Sequence, residues 1–384
     1  MTLVQTLAGK QVILAVTGSI AAVECVILIH ALRRRGAEVQ VVMSAAATGI
    51  VTPDALAYAS NRPVITRISG LVEHVSYCGD GRSADLLIIA PCTANTLSKI
   101  ACGIDDTPVT TFATTAIGSG MPVLIVPAMH HSMFRHPALA DNIAKLEEWG
   151  IGILSPRIEE GKAKIADIDE IVLYAERAVL GSPLGGKRVL ITSGPCREPI
   201  DDVRVLTTRS SGLMGKTLAL QAFRLGADVT IVHGDCIPCV RNIHTETANE
   251  MRNAVLDNLA ENNGTDFYIS AAAISDFAPR QKAGKIKSGK PAVIDLAPLP
   301  KLLDDVVQQY APFTVAFKIE RKPEGPAKSM LKKGVSMVLM NRPETMGSTM
   351  GDYDMLTADG TCKISGTKED VAAKVWASIL RAIG

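Results

Sequence analysis

Short apolar runs alternate with longer stretches of helical periodicity along the first half of the chain. The apolar runs predict buried strands at residues 12–17, 39–43, 86–90 and 123–126. Between and after them, the periodic stretches predict helices at residues 21–34, 96–101 and 170–180. Alternation of this kind is typical of βαβ units around a largely parallel sheet.

A Gly- and Pro-rich segment at residues 181–187 predicts a linker, and the same alternation resumes after it. The second half predicts a helix at 215–225 and strands at 189–192, 228–232, 267–272, 315–317 and 335–340. The sequence therefore predicts an α/β protein with two doubly wound Rossmann-like domains, at residues 1–180 and 187–384.

Composition narrows the class of partner. The 384 residues include 40 Lys+Arg and 39 Asp+Glu, a formal charge of +1, which predicts neither nucleic acid nor an anionic membrane as partner. The sequence has no apolar run long enough for a membrane span and no signal-peptide pattern at its start. Its eight cysteines are scattered, which is typical of reduced thiols. We expect a cytoplasmic protein that acts on small molecules.

The first strand runs directly into the tetrapeptide Thr17-Gly18-Ser19-Ile20. Glycine allows close approach of the backbone, and the N–H groups of a helix start together with a serine hydroxyl donate to an anion. No G-x-G-x-x-G is present, and the second strand runs into Ser44 rather than an acidic residue. These features favour a monophosphate over a dinucleotide, and a plain strand–helix turn is the alternative.

Polar clusters follow the other predicted strands of this half. They comprise His74 within E-H-V, the run 91–96 (P-C-T-A-N-T) and the run 127–133 (P-A-M-H-H-S-M). Alone, His74 is more typical of a surface or satisfied core histidine. Since the carboxyl ends of parallel strands share one edge of the sheet, the clusters together indicate a site.

These motifs, with G-S-I-A-A at residues 18–22, are similar to those of the homo-oligomeric flavin-containing cysteine decarboxylases. The resemblance implies a flavodoxin-like fold, FMN as cofactor and His74 as a catalytic residue. The FMN-binding residues that it implies are Gly18, Ser19, Ile20, Ser44, Thr93, Ala94, Asn95 and Thr115. FMN accepts electrons from the cysteine carbon, which makes loss of CO2 feasible, and a base such as His74 removes the thiol proton.

Two positions depart from the bacterial pattern of this family. His130 stands where bacterial members place an asparagine that binds the substrate carboxylate. The segment 160–167 lacks the cysteine that serves them as proton donor, and we expect Lys164, or Lys162, to supply the proton instead. A solvated loop is the alternative for these lysines. In both departures the chain resembles the archaeal members of the family.

The second half opens with a dense polar motif. Residues 192–204 read T-S-G-P-C-R-E-P-I-D-D-V-R, and residues 210–215 read S-S-G-L-M-G. Serines and glycines before a helix form a phosphate-binding set of N–H and hydroxyl donors. The two motifs closely resemble those of the ligases that join phosphopantothenate to cysteine. Thr208, followed by Arg209, replaces the asparagine that bacterial ligases carry near the activated acyl group.

The ligase resemblance implies a nucleotide site. We expect Lys285 to contact phosphate as a catalytic residue, and Asp276 to bind nucleotide or Mg²⁺ (or Mn²⁺). The nucleotide-binding residues that it implies are Gly194, Ser210, Ser211, Gly212, Ala271, Ala272, Asp276, Lys285, Phe317 and Lys333. Glu320 is a further candidate beside the metal or the amine. We expect CTP as the co-substrate, because the fused arrangement resembles the microbial form of the family, with ATP as the alternative.

Both halves together predict a bifunctional enzyme of coenzyme A biosynthesis, a carboxy-lyase joined to an acid–amino-acid ligase. The family assemblies imply a homo-oligomer, a dodecamer built from trimers and dimers. A flavin-binding regulatory protein on the same fold is one alternative. A nicotinamide dehydrogenase is another, disfavoured by the missing G-x-G-x-x-G. A metal site at Cys236 and Cys239, near His233, is disfavoured because no second ligand pair follows.

Overall fold

A computed structural model describes residues 4–159, 162–261, 264–289, 291–345 and 347–383, without the side chains of Lys162 and Thr345. The chain forms two compact units, Met1–Gly181 and Ser182–Gly384. Within the described ranges, no helix combines the length and apolar character that a membrane span requires.

The first unit contains strands and helices in alternation. Its strands are β1 Gln11–Val16, β2 Glu38–Met43, β3 Leu86–Cys92, β4 Val123–Pro127, β5 Met129–His130, β6 Gly152–Ile153, β7 Arg157–Glu159 and β8 Lys162–Lys164. A 3-10 helix at Ile20–Glu24 precedes the α-helices, which are α1 Cys25–Arg34, α2 Ala45–Thr48, α3 Pro53–Ser60, α4 Glu73–Cys78, α5 Ala94–Ala101, α6 Pro108–Gly118, α7 His131–Phe134, α8 Pro137–Glu148 and α9 Ile168–Val179.

The main sheet of this unit is parallel, in the order β2-β1-β3-β4-β6. Alternate residues of β1 enter different cores: Val12, Leu14 and Val16 belong to one cluster, and Ile13 and Ala15 to the other. A strand that is buried on both faces needs a continuous apolar run, which explains the sequence pattern. Strands β5, β8 and β7 form a separate small antiparallel sheet, in the order β5-β8-β7.

The second unit is built in the same way around a larger sheet. Its strands are β9 Arg188–Thr192, β10 Arg197–Pro199, β11 Val205–Thr207, β12 Asp228–His233, β13 Arg241–His244, β14 Phe267–Ser270, β15 Phe277–Pro279, β16 Leu296–Pro298, β17 Phe313–Ile319, β18 Met337–Asn341, β19 Met350–Thr357 and β20 Gly360–Thr367. Its helices are α10 Leu213–Arg224, α11 Ala248–Glu261, α12 Leu302–Gln309, α13 Glu324–Lys332, α14 Lys368–Ile383 and a 3-10 turn at Pro343–Thr345.

The sheet order is β13-β12-β9-β14-β17-β18-β19-β20, parallel as far as β18 and antiparallel beyond it. The hairpin β19–β20 is absent from the sequence prediction. From Met350 to Met355 burial alternates along β19, with Gly351, Tyr353 and Met355 buried, which is the alternation of a one-sided strand; Leu356 after them is buried as well. The predicted strand 267–272 ends earlier, at Ser270, because the next residues turn into a cavity wall.

The last helix contributes a large aromatic side chain to the core of the second unit. Trp376 of α14 is fully buried, and its indole N–H donates to the carbonyl of Leu218 in α10 at 2.9 Å. Its ring also meets Phe267 of β14 edge-on, with centroids 5.7 Å apart. Trp376 therefore contacts both the sheet and α10, and the same helix also buries Val371, Ala372, Val375 and Ile379.

Replacing Trp376 with alanine is expected to destabilise the second unit by about 3–5 kcal/mol, because a large cavity replaces the indole. Calorimetric unfolding of the full chain measures the loss. Trp149 is 47% exposed, so Trp149→Ala is the matched control and should cost less than about 1 kcal/mol. Equal effects of the two substitutions would contradict this account of the core.

Candidate active sites

One buried threonine joins the two strands at the centre of the first unit. Thr17 follows β1, and its hydroxyl donates to the carbonyl of Pro91 at 2.6 Å. The same hydroxyl oxygen accepts the N–H of Thr93 at 3.0 Å. Since β1 and β3 are the strands where the order of the sheet reverses, this contact fixes the crevice in which doubly wound proteins bind ligands.

The turn after β1 packs closely on the next helix. A Cβ at Gly18 would lie 2.5 Å from the Cβ of Ala46 in α2, so no side chain fits there. Ser44 precedes α2, its N–H donates to the carbonyl of Val16 at 3.0 Å, and its hydroxyl accepts from Ala47. Ser19 precedes the 3-10 helix without capping it. Gly18, Ser19, Ile20 and Ser44 are thus brought together.

The end of β3 supplies the next group of predicted residues. Thr93 caps α5 by accepting the N–H of Thr96, and Ala94 and Asn95 form the first turn of that helix. A glycine-lined turn and helix starts at adjoining strand ends fit a phosphate group, which is the requirement that FMN sets. Thr115 lies two turns inside α6 with its hydroxyl bonded to the carbonyl of Thr111, and its FMN role stays a prediction.

His74 lies in the first turn of α4, with its ring edge-on to Phe112 of α6 at 6.4 Å between centroids. Its Nδ1 is buried and accepts or donates no hydrogen bond among the described residues. The neighbouring Glu73 is held by Ser69, whose hydroxyl and N–H lower the pKa of that carboxyl. A buried ring nitrogen without a protein partner is costly, and its retention is consistent with the predicted functional role of His74.

The small antiparallel sheet joins His130 to the lysine-bearing strand. In β5, His130 lies opposite Lys162 of β8, and its Nδ1 is 2.9 Å from the hydroxyl of Ser132. Lys164 Nζ lies 2.9 Å from Glu159, and this contact lowers the pKa of Glu159. The small sheet thus brings His130 close to the strand that carries Lys164, so the two positions that depart from the bacterial pattern are neighbours. The side chain of Lys162 is not among the described atoms.

In the second unit a corresponding threonine joins the two central strands. Thr192 ends β9 and is fully buried, and its hydroxyl oxygen accepts the N–H of Ala272, which follows β14, at 3.4 Å. The next residue, Ser193, donates to the carbonyl of Gly212 at 3.0 Å, where α10 begins. A Cβ at Gly215 would lie 2.3 Å from that serine hydroxyl, so the glycine is required for this packing.

Two adjoining cavities open beside these strand ends. The larger, of about 430 Å³, is lined by the predicted catalytic residue Thr208 and by most of the predicted nucleotide-binding residues: Ser210, Ser211, Gly212, Ala271, Ala272, Asp276 and Phe317. The smaller, of about 310 Å³, shares Asp276 and Phe317 and adds Lys333, whose ammonium lies 2.7 Å from Asp304. Gly194 contacts the wall of the larger cavity, because its carbonyl accepts the N–H of the lining residue Ala273 at 2.9 Å. The Thr208 hydroxyl oxygen is buried without a partner among the described residues.

The loop that carries Lys285 is docked on the β10–β11 hairpin. Asp201 accepts the N–H of Ile286 at 3.0 Å and pairs with Arg204 at 2.7 Å, and Arg204 also donates to the carbonyl of Ile286. Lys285 is exposed and is not among the described residues that line either cavity. Its phosphate contact therefore stays a prediction.

Five polar residues in the described lining of the larger cavity were not predicted as site residues: Lys318, Asn341, Ser348, Tyr353 and Lys368. Lys318 pairs with Glu320 at 2.6 Å, so Glu320 lies beside the cavity. In the described ranges no cluster of three His, Cys, Asp or Glu side chains could hold a metal ion. Asp276 is the one acidic residue among the described lining, as suits a Mg²⁺ held largely by substrate phosphates.

Models of two protein families match the chain, Flavoprotein over residues 2–179 and the DNA/pantothenate metabolism flavoprotein C-terminal domain over residues 184–383. The chain is 44% identical to the coenzyme A biosynthesis bifunctional protein CoaBC of Thermococcus kodakarensis, across 97% of this chain and 95% of the relative. The chain belongs to the CoaBC family. The CoaBC protein of Methanocaldococcus jannaschii is 35% identical, across 96% and 93%.

Among solved structures, the C-terminal domain of a CoaBC protein matches with a TM-score of 0.44 and 30% identity, covering 53% of this chain and 98% of that chain. Membership of the CoaBC family confirms the predicted α/β fold, a flavoprotein half that takes FMN and a ligase half. The Thermococcus relative fits the predicted archaeal-like branch. The interpretation as a nicotinamide dehydrogenase is set aside, and the regulatory alternative is not favoured.

Substituting Gly18 tests the flavin crevice. The added methyl of Gly18→Ala meets Ala46 at 2.5 Å, and the overlap is expected to weaken FMN binding about tenfold or more. The flavin absorbance of the purified protein, per chain, measures the loss. Gly49→Ala is the control, since a Cβ there has its nearest neighbour at 3.8 Å. Full flavin content in Gly18→Ala would show that the turn does not approach the cofactor.

The contribution of Asp201 to the stability of the second unit is expected to depend on pH. The N–H of Ile286, above all, lowers the pKa of Asp201 to about 2. Its contribution to stability is therefore full above about pH 4 and is lost as the pH falls through about 2. Asp201→Asn is expected to lower the unfolding temperature of the second unit at pH 7, with a difference that shrinks below pH 4. Asp359→Asn, at an exposed hairpin tip, is the control, and a difference independent of pH would contradict this role.

Proposed function

We propose that the chain catalyses two successive steps of coenzyme A biosynthesis. The second unit ligates 4'-phosphopantothenate to cysteine, and the first unit decarboxylates the product to 4'-phosphopantetheine. The observation that carries the proposal is the pair of strand-end sites in one chain that is similar to CoaBC proteins over nearly its full length. Both of these sites lie where the strand order of a parallel sheet reverses.

In the ligase reaction the carboxylate of phosphopantothenate attacks the α-phosphate of CTP, or of ATP, and pyrophosphate leaves. The amine of cysteine then attacks the acyl-nucleotide, which releases the nucleoside monophosphate. Ser210, Ser211 and the start of α10 offer hydroxyl and N–H donors to phosphate. Thr208, with a buried hydroxyl oxygen that lacks a partner among the described atoms, is proposed to hold the acyl group. Asp276 is proposed to bind Mg²⁺ or the nucleotide, beside Phe317.

In the decarboxylase reaction, bound FMN supplies a reversible two-electron sink, which an unactivated cysteine carboxylate lacks. His74, whose Nδ1 is buried, is proposed to accept the thiol proton. His130, exposed at the end of β5, is proposed to orient the carboxylate that leaves as CO2. Lys164 in β8 is proposed to supply the proton that is needed when the decarboxylated enethiolate is reduced to the thiol product.

We also propose a homo-oligomer, a dodecamer of trimers and dimers, in the cytoplasm, where the nucleotide and the phosphorylated substrates are available. An apolar stripe on the first unit supports a subunit contact. Ile20, Val23 and Ile27 follow one another along the 3-10 helix and α1, and they are 77%, 52% and 56% exposed. Exposed apolar residues in a continuous row are typical of a protein–protein surface.

The proposal is tested on the purified full chain with 4'-phosphopantothenate, cysteine, Mg²⁺ and CTP or ATP. Release of both pyrophosphate and CO2 is expected, and a flavin-loaded protein that releases neither would instead be a binding protein. His74→Asn is expected to lower CO2 release by about 10²–10⁴-fold, since a general base is lost, and to leave pyrophosphate release unchanged. His244→Asn, on an edge strand of the second unit, is the control.

A further inference from the structure

A buried lysine with an unusual environment lies at the wall of the ligase cavity. Lys368 is the first residue of α14 and is 7% exposed. Its ammonium donates to the hydroxyl of Tyr353 at 2.6 Å and lies 4.9 Å from the centre of that ring. Tyr353 in turn meets Phe317, a predicted nucleotide-binding residue, edge-on at 5.8 Å between ring centroids.

Three features of this position oppose a charged lysine. Burial lowers the pKa of Lys368. The positive end of a helix dipole disfavours a cation in the first turn. Of the acidic residues at its own helix start, Asp370 is occupied by the N–H and hydroxyl of Thr367 in a capping arrangement. A buried cation is retained at a cost in stability, and the cost calls for a partner outside the chain.

Among the described residues that line the cavity, none provides a carboxylate that pairs with Lys368. Its ammonium can therefore pair with an anionic ligand. The other lysine of the lining, Lys318, is neutralised by Glu320. The acidic lining residue Asp276 has no ion pair with Lys368 among the described contacts. Ser210, Ser211 and the start of α10 line the same cavity, and these groups donate hydrogen bonds to anions. Lys368 thus adds the positive charge to a set of neutral donors.

We propose that Lys368 binds a phosphate group of a phosphorylated ligase substrate, with Tyr353 holding the ammonium in position. The inference rests on the proposed ligase function and assigns it one further binding residue. Two substrates carry such a group: the nucleoside triphosphate and 4'-phosphopantothenate. Cysteine carries none, so its binding separates a phosphate contact from general damage to the cavity.

Lys368→Met removes the charge and keeps the length of the side chain. Loss of a charge-assisted hydrogen bond is expected to raise KM about 10- to 100-fold for CTP or for 4'-phosphopantothenate, whichever phosphate Lys368 contacts. The KM for cysteine should stay unchanged. Tyr353→Phe keeps the ring and removes the hydroxyl, so the same KM should rise by a smaller factor. Lys374→Met is the matched control, since Lys374 is exposed on the same helix and bonds the carbonyl of Ser365.

The decarboxylation of added phosphopantothenoylcysteine by the same full chain reports on the first unit, and circular dichroism reports on folding. Where Lys368→Met does not fold, Lys368→Gln keeps a donor for Tyr353 and replaces it in the assay. Unchanged KM values for both phosphorylated substrates would overturn the inference, and so would a rise confined to cysteine.

Failure of the proposed function is recognised separately, in the unsubstituted protein. Calorimetric titration with CTP, and then with 4'-phosphopantothenate, measures binding without turnover. A protein that binds either ligand but releases no pyrophosphate contradicts the ligase proposal, and weaker binding by Lys368→Met then still supports the inference. A protein that binds neither ligand contradicts both.

Discussion

In both units a buried threonine hydroxyl at the end of the first strand accepts a backbone N–H from the residues that follow the neighbouring strand. Thr17 receives the N–H of Thr93, and Thr192 receives the N–H of Ala272. The helices that follow these paired strands leave to opposite faces of the sheet, so the backbone between them separates and a crevice opens. The hydroxyl holds the strand ends together at that point. The positions of the glycine turns, the helix starts and the ligand-facing side chains all depend on it.

Close packing at these turns leaves little room for variation. Gly18 meets α2 and Gly215 meets Ser193 at distances that exclude a side chain. Each site therefore consists of a rigid part, made of strand ends and helix starts, and an adjustable part on separate elements. His130 and Lys164 on the small sheet, and Lys285 on its loop, belong to the adjustable part. The departures from the bacterial pattern at His130 and Lys164 lie in that part.

The rigid parts were predictable because their signals are local in sequence. An apolar run followed by Gly18-Ser19, or by Gly194 and then Ser210–Gly212, specifies a strand, a turn and a helix start within a few residues. The contribution of Lys368 depends on burial against Tyr353 of another element, and a lysine at a helix start has no local mark of burial. The docking of the 285 loop depends on Asp201, more than 80 positions earlier in the chain. The hairpin β19–β20 was missed although the alternation in β19 is visible in the sequence.

The docking of that loop has an evolutionary consequence. The described hydrogen bonds of Asp201 and Arg204 to Ile286 go to main-chain atoms, its N–H and its carbonyl. Any residue other than proline offers the same N–H and carbonyl, so the docked position does not depend on the identity of the side chains that the loop carries. Mutations at Lys285 and Lys287 can therefore be selected for a new nucleotide or acyl group while the resting place of the loop is inherited unchanged.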